Sequence, residues 1–108
     1  MADQDKREKL LDFLDRRAFD PVLEASPDDY NENDRKKLKD IKAKTQSTKK
    51  RYHQNYDTAK EVVDNFKADL SSEAAEKVHD DLRDLGLPTL NEIKGDFDKL
   101  AKNLGVEG

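Results

Sequence analysis

Cysteine and tryptophan are absent from this chain of 108 residues. Without cysteine there is no disulfide framework, no thiolate metal site and no cysteine nucleophile, and the chain suits a reducing compartment. Large apolar residues are also scarce. Leu, Ile, Val and Phe together number 23, about a fifth of the chain, just above the level at which a highly charged sequence stays unfolded. We expect a folded protein with a thin core, and a single domain over residues 1–108, since a second core has no room. No apolar run approaches the roughly 18 residues that cross a bilayer, and the charged N-terminus lacks the apolar stretch of a signal peptide. A soluble, cytoplasmic protein without membrane contact follows as the expectation. Also missing are a Gly-rich phosphate loop, a Ser/His/Asp elbow and an HExxH motif. Nearly every carboxylate falls on a polar face, so we expect no enzyme, no catalytic residue, no cofactor and no metal.

Charge, in contrast, is plentiful. Asp, Glu, Lys and Arg make up 43% of the sequence, with a net charge of -4. The two signs are segregated. Between Asp34 and His53 nine basic residues (Arg35, Lys36, Lys37, Lys39, Lys42, Lys44, Lys49, Lys50, Arg51) face two acidic ones, a local +7, which leaves -11 for the remainder. A basic segment in an acidic chain has two natural partners, an outside polyanion or the acidic half of its own chain.

Apolar periodicity is helical throughout, and no stretch alternates as a strand would. The first helix begins near Asp3 or Asp5 and buries Leu10, Leu11, Leu14 and Ala18, with Phe13 on the shoulder. It should break at Phe19-Asp20-Pro21, because a residue before proline is pushed out of the helical region. Asp20-Pro21 then opens a single turn that carries Val22 and Leu23. From Asn33 to Leu70 the residues Leu38, Ile41, Thr45, Thr48, Tyr52, Asn55/Tyr56, Ala59, Val62 and Phe66 recur at steps of three and four. This pattern predicts one long central helix of roughly 55 Å at about 1.5 Å per residue. Its start is open between Pro27, after the cap-like Ser26, and Asn33. Its weak point is Lys44 to Lys50, where threonines and serine lower propensity and the seam holds nothing larger than a threonine methyl. Ser72 starts a third helix with Ala75, Val78, Leu82 and Leu85 on one face, closed by Gly86 and Pro88. Thr89 to Glu92 is a capping box opening a last helix with Leu90, Ile93, Phe97, Leu100 and Leu104 on its seam. The expected fold is all-α: a short N-terminal helix, a long central helix, and a C-terminal antiparallel pair folded back along Tyr52 to Leu70.

Function is read from the central helix. With Leu38 at heptad position a, Arg35, Lys42 and Lys49 fall at e and Lys37, Lys44 and Arg51 at g, the positions that meet acidic residues of a neighbouring helix. We therefore expect a non-enzymatic helical interaction or assembly protein. Its contact face comprises Arg35, Leu38, Ile41, Lys42, Lys49, Lys50, Arg51, Tyr52 and Tyr56, and its partner is another protein or a second copy in a homodimer. The alternative is nucleic-acid binding through the basic face Arg35 to Arg51, with Tyr52 and Tyr56 stacking on bases. His53, one turn before Asp57, and His79, beside Asp80, are expected to be solvated or partly packed side chains and not metal ligands.

Overall fold

A proline inside an apolar stripe sets the shape of the N-terminal region. The computed structural model describes residues 3–106. In it α1 (Asp3–Leu14), a π-helical turn (Asp15–Phe19) and α2 (Asp20–Leu23) follow one another without a gap. The break expected at Phe19-Asp20-Pro21 is corrected: the helix passes through the proline. Pro21 lacks an N–H, and its ring would collide with the carbonyl four residues back in a regular α-helix. The wider turn relieves that collision, and its bonding shows in the Asp20 N–H, which donates five residues back to the Asp15 carbonyl. Val22 is thereby carried into the core, with Leu23 half-buried.

A 3-10 turn (Pro27–Asp29) comes next, so proline starts only this turn, and the long helix begins after Asn31, whose side chain accepts the Asp34 N–H. The chain is completed by α3 (Glu32–Asn55), α4 (Ala59–Leu70), α5 (Glu73–Asp84) and α6 (Leu90–Asn103). No strand occurs among the described residues, and the fold is all-α. No helix among them is long and apolar enough to cross a membrane.

The single helix expected over Asn33 to Leu70 is two helices. α3 is continuous through Lys44 to Lys50 and ends at Asn55. The turn falls at Tyr56 to Thr58 because a new start signal lies there. Thr58 accepts the Glu61 N–H, and the Glu61 carboxylate accepts the Asp57 N–H, so two free donors at the start of α4 are satisfied. Arg7 secures the other side, donating from its guanidinium to the carbonyls of His53 and Tyr56 at the end of α3. Terminal carbonyls have no helical donor, and a cation there also meets the negative end of the helix dipole. Arg7→Ala should therefore lower stability by about 1.5 kcal/mol, measured by urea unfolding. A change near zero would show that water serves those carbonyls as well as Arg7 does.

At the other helix ends the local signals act as read. Ser72 accepts the Ala75 N–H, and Thr89 and Glu92 form a reciprocal capping box. Gly86 closes α5 at φ +73°, with Leu87 N–H donating to the Leu82 carbonyl and Gly86 N–H to that of Arg83.

The core is divided. One cluster gathers Leu10, Leu14 and Phe19 with Tyr52, Val62 and Phe66 and with Ile93, Phe97 and Ala101. The other is smaller: Val22, Leu38, Ile41, Leu82 and Leu85. Both helices expected to fold back along Tyr52 to Leu70 do pack on α4, but they serve different clusters, since α6 also packs on α1 in the first and α5 also packs on α3 in the second. The division follows from which residues are large: Phe97 and Ile93 suit the aromatic cluster, while Leu82 and Leu85 meet Leu38 and Ile41 directly. The molecule is correspondingly elongated, 47 × 21 × 19 Å.

Candidate binding cleft

Where the two clusters meet, α3 presents Thr45 and Thr48 on the face that holds Leu38, Ile41 and Tyr52 elsewhere. Leu38, Ile41 and Tyr52 are 0%, 2% and 1% exposed, whereas both threonines are only half-buried. Ala18 on the π turn and Ala74 and Ala75 on α5 are equally short. Side chains this small cannot bridge the gap between helices, and a cleft of about 430 Å³ results, open to solvent. Phe19, Tyr52, Phe66, Val78, Leu82 and Leu90 supply apolar wall, and Lys44, Arg51 and Asp69 also line it. Concave, largely apolar sites of this size with a few polar groups are the usual form of a binding site.

Two polar groups define its chemistry. Tyr52 donates from its hydroxyl to Asp69 at 2.6 Å, and Arg51 donates to the same carboxylate oxygen, also at 2.6 Å. Burial, and then the Asp69 carboxylate, raise the Tyr52 pKa far above the ordinary tyrosine value, so the hydroxyl stays protonated and keeps donating. His79 lies across the cleft on α5, 4% exposed, and neither ring nitrogen has a hydrogen-bond partner among the described residues. Burial first, then the Arg83 cation, lower its pKa below 6.5 against the opposing pull of Asp80 and Glu76. The imidazole is neutral at pH 7, one nitrogen a donor and the other an acceptor.

His79 therefore differs from the solvated or partly packed side chain expected. Its position four residues after Ala75 and three before Leu82 was the available signal, since both lie on the buried stripe. An unpaired buried polar group costs about 1 to 3 kcal/mol, so His79→Leu should raise stability by about 1 kcal/mol at pH 7. The pH profile should change too. Unfolded His79 takes up a proton below about pH 6.5 while the folded ring resists it, so wild-type stability falls as pH drops through that range. Urea unfolding between pH 5 and about pH 8 should show a shallower slope in the leucine variant. Equal slopes would mean that His79 titrates alike in both states.

The other residues expected at a contact face are engaged within the chain. Arg35 donates to the carbonyls of Pro27 and Tyr30, and Lys42 to that of Ala25. Lys49 pairs with Asp20 at 3.0 Å, Lys37 with Asp84 at 3.5 Å and Lys44 with Asp40 at 3.0 Å. The e positions thus hold the N-terminal segment, while at g Lys37 and Arg51 reach α5 and α4. Tyr56 is half-buried, edge-on to Tyr52 at 4.9 Å between ring centres. Among the described residues Lys50, with Lys36 and Lys39, makes no ion pair and is exposed on the outer side of α3. His53 pairs with Asp15 at 2.9 Å beside a separate surface groove. Among the described residues no group of three or more His, Asp or Glu is placed to hold a metal ion. No protein-family model, curated protein or solved structure matches this chain, so its function is read from the cleft itself.

Proposed function

We propose that the chain is a non-enzymatic helical interaction protein, and that α3 recognises another protein through the cleft over Thr45 and Thr48. One observation carries this reading. The apolar seam of α3 is covered by its own chain at both ends and left open in the middle, where a cleft with apolar walls opens to solvent. Docking there needs no rearrangement. A dimer through Leu38 and Ile41 would instead have to dismantle the second cluster.

Nucleic-acid binding is the weaker reading, because six of the nine cations of the basic segment already have partners in the chain. Lys36, Lys39 and Lys50 remain, and three phosphate contacts give only a shallow salt dependence, with a slope of about -0.9 each on duplex DNA.

Ala75 lines the cleft from α5, and Ala75→Trp would fill it. In cross-linking capture from cells expressing the chain, partner recovery should drop at least about tenfold with this variant, equivalent to about 1.4 kcal/mol. The variant with Lys36, Lys39 and Lys50 changed to glutamine should recover the same partner undiminished. Undiminished recovery by a folded Ala75→Trp protein would remove the cleft as the docking site.

A further inference from the structure

The two halves of α5 are fastened differently. Toward its C-terminus Leu82 and Leu85 are buried in the second cluster, Tyr30 donates from its hydroxyl to the Leu85 carbonyl at 3.1 Å, and Lys37 pairs with Asp84 at 3.5 Å. From Glu73 to Val78 no residue is fully buried. Ala74, Ala75 and Val78 of this half form one wall of the open cleft, and the first buried side chain along the helix is His79. A leucine there would hold the wall by burial at any pH. The imidazole holds it only while neutral. Both ring nitrogens are shut away from solvent without a hydrogen-bond partner among the described residues, so an added proton creates a buried charge with two unmet donors. Nothing facing the ring compensates that charge. From α3 the cleft receives Lys44 and Arg51, both cations, and from α4 it receives Asp69, already engaged by Tyr52 and Arg51. The π turn, α2 and the Pro88 to Leu90 segment bring no titratable group to it. Burial, and then Arg83, keep the docked ring neutral against the pull of Asp80 and Glu76. Those three charged residues sit on α5 itself and move with it.

We propose that Glu73 to His79 is an acid-released wall of the cleft, docked while the His79 imidazole is neutral and detached from α3 and α4 once the ring is protonated. A stretch this short has no helical stability of its own in water, so release unwinds it, while Leu82 and Leu85 stay in the second cluster. The closed state is fully favoured above about pH 6.5, the ordinary histidine value that the released ring regains, and it loses ground as pH falls below that. Between about pH 7 and about pH 5 the open fraction rises by up to about 25-fold. This is a local event, distinct from the pH dependence of global unfolding. On the reading that the cleft docks a partner, acid withdraws Ala74, Ala75 and Val78 from the docking surface, and the site is regulated by pH.

The test is native-state hydrogen exchange on the full chain, corrected for the intrinsic pH dependence of exchange. In wild type the opening that exposes the amides of Lys77 to Asp80 should grow more than about twofold between about pH 7 and about pH 5, up to the 25-fold ceiling, while the amides of α4 and α6 change less. His79→Leu and His79→Gln, neither of which titrates at this position, should remove the difference. Both variants keep Asp84, so any contribution of the Lys37 pair appears in them equally. A rise in wild type below about twofold would overturn the proposal. So would an equal rise in α6, which would make the event global, or a rise that persists in both variants, which would assign it to another group. Unprotected exchange of Lys77 to Asp80 already at pH 7 would show that the wall is never closed, with the same consequence. The measurement uses no partner, so its failure leaves the docking reading to capture with Ala75→Trp, and the loss of that reading leaves the acid release standing.

Discussion

Phe97→Ala should destabilise the protein by about 3 to 5 kcal/mol, the cost of removing a fully buried aromatic ring. Phe97 is 0% exposed and lies 4.2 Å from Phe66 and 6.0 Å from Phe13, ring centre to ring centre. It therefore joins α6 to α4 and α1 together. Domains of this size are stable by about 5 to 15 kcal/mol, and a core this thin places the chain toward the lower end. The variant should lose most of its folded margin in urea, with α6 amides the first to exchange. Stability within about 1 kcal/mol of wild type would mean that α6 is not docked as described. Leu100, on the expected seam of the same helix, is only half-buried, and alanine there should cost less than at Phe97.

Leu38→Ala should cost about 2 to 5 kcal/mol, and its effect should be local. Leu38 is 0% exposed in a cluster whose buried members are Val22, Leu38, Ile41, Leu82 and Leu85. Few neighbours can collapse into the cavity, so the upper part of that range is expected. The cleft separates this cluster from the aromatic one, and units so divided can open separately. Hydrogen exchange should therefore quicken across α5 and the first half of α3 while α4 and α6 keep most of their protection. Equal loss of protection in α6 would show that the two clusters unfold as one.

Much of the fold is legible because its signals are local. Ser72, Thr89 with Glu92, and Gly86 each decide a helix end through bonds within a few residues, and each acts as its sequence suggests. The break after α3 was equally local and still missed. The stripe Tyr52, Ala59, Val62 continues smoothly across Tyr56 to Thr58, and periodicity concealed the cap formed by Thr58 and Glu61. Pro21 misled for the opposite reason: a residue that usually ends helices was accommodated by a wider turn. For the site, the low-volume seam at Thr45 and Thr48 was visible as a weakness in the helix. Its meaning was not, because a gap exists only once Ala18 and Ala75 are brought opposite from elsewhere in the chain. The same holds for the basic run, whose pairing with Asp20, Asp69 and Asp84 depends on tertiary placement.

The widened turn at Asp15 to Phe19 also acts as a register correction. Leu10, Leu14, Ala18 and Val22 are spaced by four residues, and in a regular helix at about 100° per residue the last would point roughly 120° away from the first. A turn that holds one extra residue cancels about 100° of that drift, leaving the four nearly in line. Leu10, Leu14 and Ala18 serve one cluster and Val22 the other, so this straightened row is the rail along which the two halves of the core are aligned. Wound as regular α-helix without any loss of residues, the same segment would swing Val22 roughly 120° off the row, leaving a more regular helix attached to only half of its core.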